Sequence, residues 1–163
     1  AMQLSDVLKN IRIPHEIVGF TTEWEESDVT LNYVHKDFNE TINAETLKTR
    51  MLAAGDKNMS GNADGESIQW AVERLRARKN PGKVMIVLSD GMPSCGSRDG
   101  NIAAFTKTVV EDIENSGDVD IFGLGIMSHS VEHFYKDYAV IKSSADLETA
   151  LLTVMKEKVI KNG

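Results

Sequence analysis

The sequence predicts an α/β fold of three layers, with helices on both faces of a mostly parallel central sheet and an antiparallel strand at its edge. Three observations carry this. Val84 to Leu88 (VMIVL) is a continuous apolar run, the pattern of a strand covered on both faces, and Val119 to Ile126 (VDIFGLGI) reads as a second buried strand. Helix-length amphipathic segments alternate with these runs, as in βαβ units, whose crossovers are right-handed and whose strands are parallel. Near the start, two short strand-like runs lie close together, as a hairpin at a sheet edge requires. The runs Val84–Leu88 and Val119–Leu124 are therefore expected to be adjacent parallel strands.

Each element follows from its own pattern. Gln3 to Ile11 places Leu4, Val7, Leu8 and Ile11 on one face of a helix. Glu16 to Phe20 (EIVGF) reads as a buried strand, and Val29 to Val34 (VTLNYV) alternates apolar and polar like a strand half exposed to water. Residues 43–54 read as a helix with Leu47, Met51 and Leu52 to one side, and 55–63 (GDKNMSGNA) as a loop. Residues 65–78 form an amphipathic helix through Ile68, Ala71, Val72 and Leu75, ended by Asn80-Pro81-Gly82. After the VMIVL strand comes a helix carrying Ile102, Phe105, Val109 and Ile113. Beyond the second buried strand, a short helical turn near 130–135 leads to Tyr138–Ile141 (YAVI), and a last helix carries Leu147, Leu151, Val154 and Met155.

Composition narrows the function classes. The 163 residues suit one domain, 1–163, without repeats or a linker. The chain is 41% hydrophobic and 26% charged, a globular balance. Asp plus Glu outnumber Lys plus Arg by 25 to 18, a formal charge of −7, which argues against nucleic acid as a partner. No apolar run approaches the roughly 20 residues that span a bilayer, and no secretory signal pattern opens the chain. The single cysteine, Cys95, can form no intrachain disulfide and fits a reducing, cytoplasmic setting.

In an open α/β sheet, ligands sit at the carboxyl ends of strands. VMIVL is followed there by Ser89-Asp90-Gly91 and the loop MPSCGSRDG. A carboxylate at that place can hold a hard cation or a phosphoryl group, or simply bond loop amides. Asp64, in Asp64-Gly65-Glu66, opens the helix 65–78, where it is either a metal ligand or an N-cap. His129 and His133 stand four apart with Glu132 between them, a zinc-like spacing without a third ligand nearby. His15 and His35 belong to the hairpin region, and the alternative to a metal pair is surface histidines. Cys95 has no Cys-x-x-Cys partner, no Gly-x-Ser-x-Gly elbow is present, and no phosphate loop provides an ATP site.

Five segments in order carry a resemblance. They are Ile13–Thr22 (IPHEIVGFTT), Gly61–Arg78 (GNADGESIQWAVERLRAR), Val84–Ser94 (VMIVLSDGMPS), Phe122–Ile126 (FGLGI) and Asp137–Leu147 (DYAVIKSSADL). Together they resemble the von Willebrand factor A (VWA) domain of CobT-type cobaltochelatase subunits. The resemblance implies a mostly parallel sheet flanked by helices and a metal-ion-dependent adhesion site at its carboxyl edge. That site is assembled from Asp-x-Ser-x-Ser after the first strand, a Thr from a second loop, and an Asp after the fourth strand. Asp90 matches the last Asp, and Asp64 stands near the Thr position. The first strand and its Asp-x-Ser-x-Ser have no counterpart in this sequence. In the family order that strand lies between EIVGF and VMIVL. The resemblance thus implies a domain shortened at its N-terminus, unless those two strands pair directly or another segment fills the gap.

By the same resemblance the chain is a non-catalytic interaction module of cobalamin biosynthesis. Its expected partners are an AAA+ ATPase and the large catalytic subunit that inserts cobalt into a corrin ring. Asp64 and Asp90, expected to approach one another beside Ser89, form an incomplete metal site, so Mg²⁺ is expected to bind weakly. The other readings are a small-molecule or phosphate-binding α/β domain using Asp90 and the 91–100 loop, and a metal chaperone using His129 and His133.

Overall fold

The computed structural model describes residues 2–23, 29–55, 61–95 and 100–143, with 146, 149, 150 and 153 beyond them. Helix α1 (Met2–Asn10) leads into an antiparallel hairpin of β1 (Ile17–Thr22) and β2 (Thr30–Lys36). Helices α2 (Ala44–Gly55) and α3 (Asp64–Arg76) follow. Then come β3 (Val84–Ser89), α4 (Ile102–Ser116), β4 (Asp120–Ile126), a short 3-10 helix (Ser130–His133) and β5 (Tyr138–Ile141). Strands β3, β4 and β5 form a parallel sheet in that order, with Val84 opposite Asp120 and Gly123 opposite Tyr138.

The apolar runs are continuous because both faces of this sheet are buried. On one face, Val87 and Ile121 pack with Ile68 and Val72 of α3 and with Val109, Val110 and Ile113 of α4. On the other, Phe122, Leu124 and Ile141 pack with Ile86, Leu88, Ala139 and Ala150. Successive strand residues point to opposite faces, so alternate members of each run serve the two clusters. Helix α4 is closed at both ends by local chemistry. The Asn101 side chain accepts from the Ala104 amide at its start, and Gly117 takes a left-handed φ of 66° at its end.

The fold class is the expected one, but the strands stand in two sheets. Among the described residues β1 pairs only with β2, and no backbone ladder joins β1 to β3. The direct pairing of EIVGF with VMIVL, allowed by the sequence, does not occur. Helix α3 links the two parts instead. Its apolar face sits on the β3–β4 sheet, and Arg74 on its outer side reaches Glu16 at the foot of β1.

Local details depart from the sequence pattern. The register shifts between Ile17 and Val18, which face Lys36 and Val34, so His35 is the extra residue of a β-bulge. The bulge breaks the alternation: Val34 is exposed, whereas His35 and Lys36 are both buried. Lys36 then spends its ammonium on the carbonyls of His15 and Asp37, at 2.7 and 3.0 Å. Ile11 lies beyond the end of α1 and is 52% exposed, and Leu52 is 60% exposed while Leu47 of the same helix is buried. A shared helix face buries a residue only where a neighbour covers it. The last apolar face, Leu147, Leu151, Val154 and Met155, lies outside the described residues, as does 56–60 of the loop at 55–63.

Candidate functional site

A cavity of about 380 Å³ opens between the two sheets at their carboxyl edges, and both Asp64 and Asp90 line it, together with Ser89. The loop before α3 and the turn after β3 bring them there. Residues far apart in sequence hold these two segments. The Gly61 amide donates to Thr22 Oγ1 at 3.1 Å, and the Asn62 amide donates to Ser94 Oγ at 3.0 Å. The Ser94 and Cys95 amides both donate back to the Asn62 carbonyl, at 3.0 and 3.3 Å. Only glycine fits at 61, because a Cβ there would sit 2.0 Å from Cys95 Sγ. Thr22, Gly61 and Asn62 were not candidates from the sequence, and Ser94 and Cys95 entered only as members of the 91–100 loop. The available signal was the cluster of Gly, Asn and hydroxyl residues at the strand ends.

Asp64 occupies the first position of α3 rather than the cap, which is Ala63 and makes no side-chain bond. The N-cap reading of Asp64 is therefore set aside. The residue is 4% exposed, and among the described residues its Oδ2 has no hydrogen-bond partner. Burial, more than anything else, pushes its pKa up to about 6. Its own backbone amide opposes the shift, while the charges of Asp90 and Glu66 add to it. Asp90 is exposed at the rim. The turn that presents it is pinned at Gly91, whose carbonyl accepts from Ser89 Oγ at 2.9 Å and from Ser130 Oγ at 2.7 Å. The pin comes from the segment after β4, so Asp90 is positioned by both neighbouring strands.

The chemistry of the cavity favours a cation. Two carboxylates face it, and the imidazole of His35 on the opposite wall is held in its neutral form by burial, which lowers its pKa. A phosphate would meet like charge here. The amides of Ser94 and Cys95, which a phosphate loop would have to offer, are already committed to Asn62. Among the described residues no group of three or more His, Cys, Asp and Glu is arranged around one point. Two carboxylates do not form a closed cage, so any ion they could hold is a hard cation that keeps most of its hydration shell.

The other candidates separate from this site. His129 and His133 are exposed and bracket a 3-10 helix, in which residues three apart eclipse and residues four apart do not. His129 Nδ1 is engaged by Glu132. His15, half-buried ahead of β1, bonds Ser5 and the Ile13 carbonyl, and His35 is buried in the hairpin. Cys95 packs against Gly61.

Comparison with known proteins bears on the same residues. The family model described as the VWA domain of cobalamin biosynthesis protein CobT matches residues 1–161. An uncharacterised protein of Bacillus subtilis (strain 168), YojO, is 24% identical over 131 residues, which is 78% of this chain and 20% of YojO. Proximal thread matrix protein 1 from the mussel byssus superposes with a TM-score of 0.63 at 15% identity, over 94% of this chain and 40% of that one. That likeness is one of fold. The chain thus spans a fifth of the curated relative and two fifths of the solved one.

Proposed function

The chain belongs to the family of VWA domains of the cobalamin biosynthesis protein CobT, and from that premise we propose that it is the non-catalytic interaction module of a CobT-like cobaltochelatase subunit. In this reading it works in the cytoplasm with an AAA+ ATPase, and the two assist a large catalytic subunit that inserts Co²⁺ into a corrin ring. Cobalt is the cargo of that reaction. The resident ion of this domain is Mg²⁺, held by Asp64 and Asp90.

The observation that carries the reading is the carboxylate of Asp64, buried without a partner for Oδ2 among the described residues and facing the same cavity as Asp90. A buried, unsatisfied carboxylate oxygen costs stability, and a cation arriving at the mouth offsets that cost. When bound, the ion would supply a positive point for a carboxylate of a partner protein. Asp64 and Asp90 would hold it, and the Ser89–Gly91–Ser130 bonds would keep Asp90 in place. With only two carboxylates, the affinity of these residues for so strongly hydrated an ion is low.

Titration calorimetry with MgCl₂, and association with the AAA+ subunit in Mg²⁺ and in EDTA, test this. Weak Mg²⁺ binding lost in Asp90→Ala, with association lost in EDTA, is expected. Tight binding indifferent to Asp64→Asn and Asp90→Ala, or association unchanged by EDTA, would overturn it.

A further inference from the structure

Arg50, Arg74 and Arg76 each sit on a carboxylate: Arg50 on Glu40, Arg74 on Glu16 and Asp37, and Arg76 on Asp118. Arg78, two residues beyond the end of α3, meets no carboxylate among the described residues. Its Nη2 donates to the neutral amide oxygen of Asn39 at 3.1 Å, and its Cζ lies 5.1 Å from the centre of the Phe38 ring. Its Nε is buried and has no hydrogen-bond partner among the described residues. A half-buried guanidinium is thus held in place here without a counter-charge.

Arg78 and Arg74 line one hollow of about 220 Å³ with Asp37, Phe38, Asn39 and Ala77. Its walls are fixed before anything enters. Asp37 Oδ1 accepts from the Asn39 amide at 2.9 Å, and the Glu40 amide donates to the Asp37 carbonyl at 3.1 Å, which closes the turn after β2. On the helix side the Ala77 amide donates to the Glu73 carbonyl and the Arg78 amide to the Leu75 carbonyl, both at 3.1 Å, and these bonds set where Arg78 leaves α3. A planar guanidinium held flat on a ring loses little freedom when an acceptor reaches its remaining N–H groups. The hollow stands at the opposite end of α3 from Asp64, and a helix of 13 residues is roughly 20 Å long.

We infer that this hollow is a second docking site, which takes a carboxylate side chain of a partner protein, with Arg78 as the anchor and Phe38 and Ala77 against the apolar stem of that side chain. The charge balance selects a carboxylate over a phosphate. Arg74 is already matched by Glu16 and Asp37, so one positive charge is left and one carboxylate meets it. A phosphate group brings about two negative charges and would face Asp37 across the hollow. Lys79, next in the chain, is exposed, makes no ion pair among the described residues and adds attraction for an acidic segment. The chain as a whole has a formal charge of −7, so it repels acidic segments except where a local site outweighs that field. The domain then offers one docking face at each end of α3, and this one needs no metal. The inference does not rest on the metal reading or on the chelatase reading.

Titration of the 163-residue chain with acetylated, amidated hexaglutamate tests it, read by calorimetry and by the NMR signal of the Arg78 Nε–H, at about 0.15 M salt. Saturable binding that shifts the Arg78 signal is expected. It should weaken about tenfold in Arg78→Gln, and about threefold in Arg78→Lys and in Phe38→Leu, which keep the charge but lose the fork or the ring. Lys79→Gln removes the same charge one residue away and should cost less than about twofold. EDTA and Asp90→Ala should leave binding unchanged, and the amide signals of β4 report that each variant is folded. Absence of saturable binding by the unsubstituted chain would overturn the inference. Equal losses in Arg78→Gln and Lys79→Gln would make the attraction diffuse, and loss in EDTA or Asp90→Ala would put the peptide on the other edge; either would also overturn it. So would inorganic phosphate or acetate binding at Arg78 as tightly as the peptide, which would make a small free anion the ligand.

Discussion

Arg74 of α3 grips the Glu16 carboxylate at the foot of β1 with Nε and Nη2 together, Nε at 2.9 Å, and its Nη2 also reaches Asp37 beyond β2 at 3.1 Å. Glu16 is 6% exposed at its side chain, and the guanidinium stacks on Trp70 with its carbon 4.8 Å from the ring centre. Where strand pairing would ordinarily unite a sheet, this forked contact ties the hairpin to a helix that belongs, by its packing, to the other sheet.

Arg74→Ala leaves the Glu16 carboxylate buried without its partner. The expected loss is about 2–3 kcal/mol, since a buried charge deprived of its counter-charge costs more than an exposed pair contributes. Arg74→Lys should recover less than half, because an ammonium cannot make the fork. Urea denaturation measures both. Hydrogen exchange of Arg74→Ala should show β1 and β2 opening below the free energy at which β4 opens. A loss below about 0.5 kcal/mol would mean that the clamp holds nothing.

Asp64→Asn is expected to stabilise the metal-free chain at pH 7. The folded carboxyl titrates at about 6, above its unfolded value of roughly 3.9. A raised folded pKa gives stability that is fully present below the unfolded pKa and is lost as pH rises through the folded one. The wild-type chain therefore loses about 2–3 kcal/mol between pH 4 and pH 7 that the asparagine variant keeps. Thermal unfolding in EDTA from pH 4 to pH 8 should show two curves that meet near pH 4 and part by pH 7. In Asp64→Asn the remaining trend includes that of His15 and His35, with a further loss toward pH 4 from Glu40, Asp118 and Asp146, whose carboxyls are lowered by their hydrogen-bond partners. The histidine pKa values are lowered by burial, so their contribution is present above about pH 6.5 and fades as pH falls below it. Parallel curves throughout would show Asp64 to be solvated.

How far the sequence could be read depends on what each pattern physically reports. VMIVL and VDIFGLGI were legible as parallel strands because burial of both faces leaves a run of almost wholly apolar residues, and Val84 does pair in register with Asp120. The bulge at His35 was not legible, since one inserted residue leaves the composition of a strand unchanged while turning Lys36 inward. Asp64 and Asp90 could be found because carboxylates beside glycine at element ends are a local signal. The bonds that hold their loops span 39 residues, from Thr22 to Gly61, and 32, from Asn62 to Ser94, and no local pattern carries such pairings. The division of the sheet was visible only as a gap in the order of strands. Which segment would bridge it depends on geometry.

The bulge also sets a tight spot. A Cβ at Gly19 would lie 2.5 Å from His35 Nε2, so Gly19→Ala must displace the buried ring. The expected cost is about 1–3 kcal/mol, the usual penalty for overpacking. His35→Ala by itself leaves a void beside the cavity and costs a similar amount. The double variant should be more stable than the two losses summed, because the displaced ring is gone. Additive losses in a double-mutant cycle would place the two residues out of contact.

Gly65 plays the same part between α3 and α4, immediately after Asp64. A Cβ there would stand 2.6 Å from Cδ1 and 2.7 Å from Cε1 of Phe105, and 3.2 Å from Thr106 Oγ1. The helices approach this closely because one of them has no side chain at the crossing. Gly65→Ala gains helix propensity, worth roughly 1 kcal/mol in an open helix. Here that gain is outweighed by the clash with a ring packed against the core, and a net loss of about 1–2 kcal/mol is expected. Phe105→Leu should relieve the clash, so that Gly65→Ala in that background becomes neutral or stabilising. The measurement is the midpoint of chemical denaturation for the two single variants and the double. The crossing also fixes where α3 begins, and hence where Asp64 is held. Gly65→Ala should therefore weaken Mg²⁺ binding as well, and Phe105→Leu should restore it. Stability restored without Mg²⁺ binding would separate the packing of α3 from the placement of its first carboxylate.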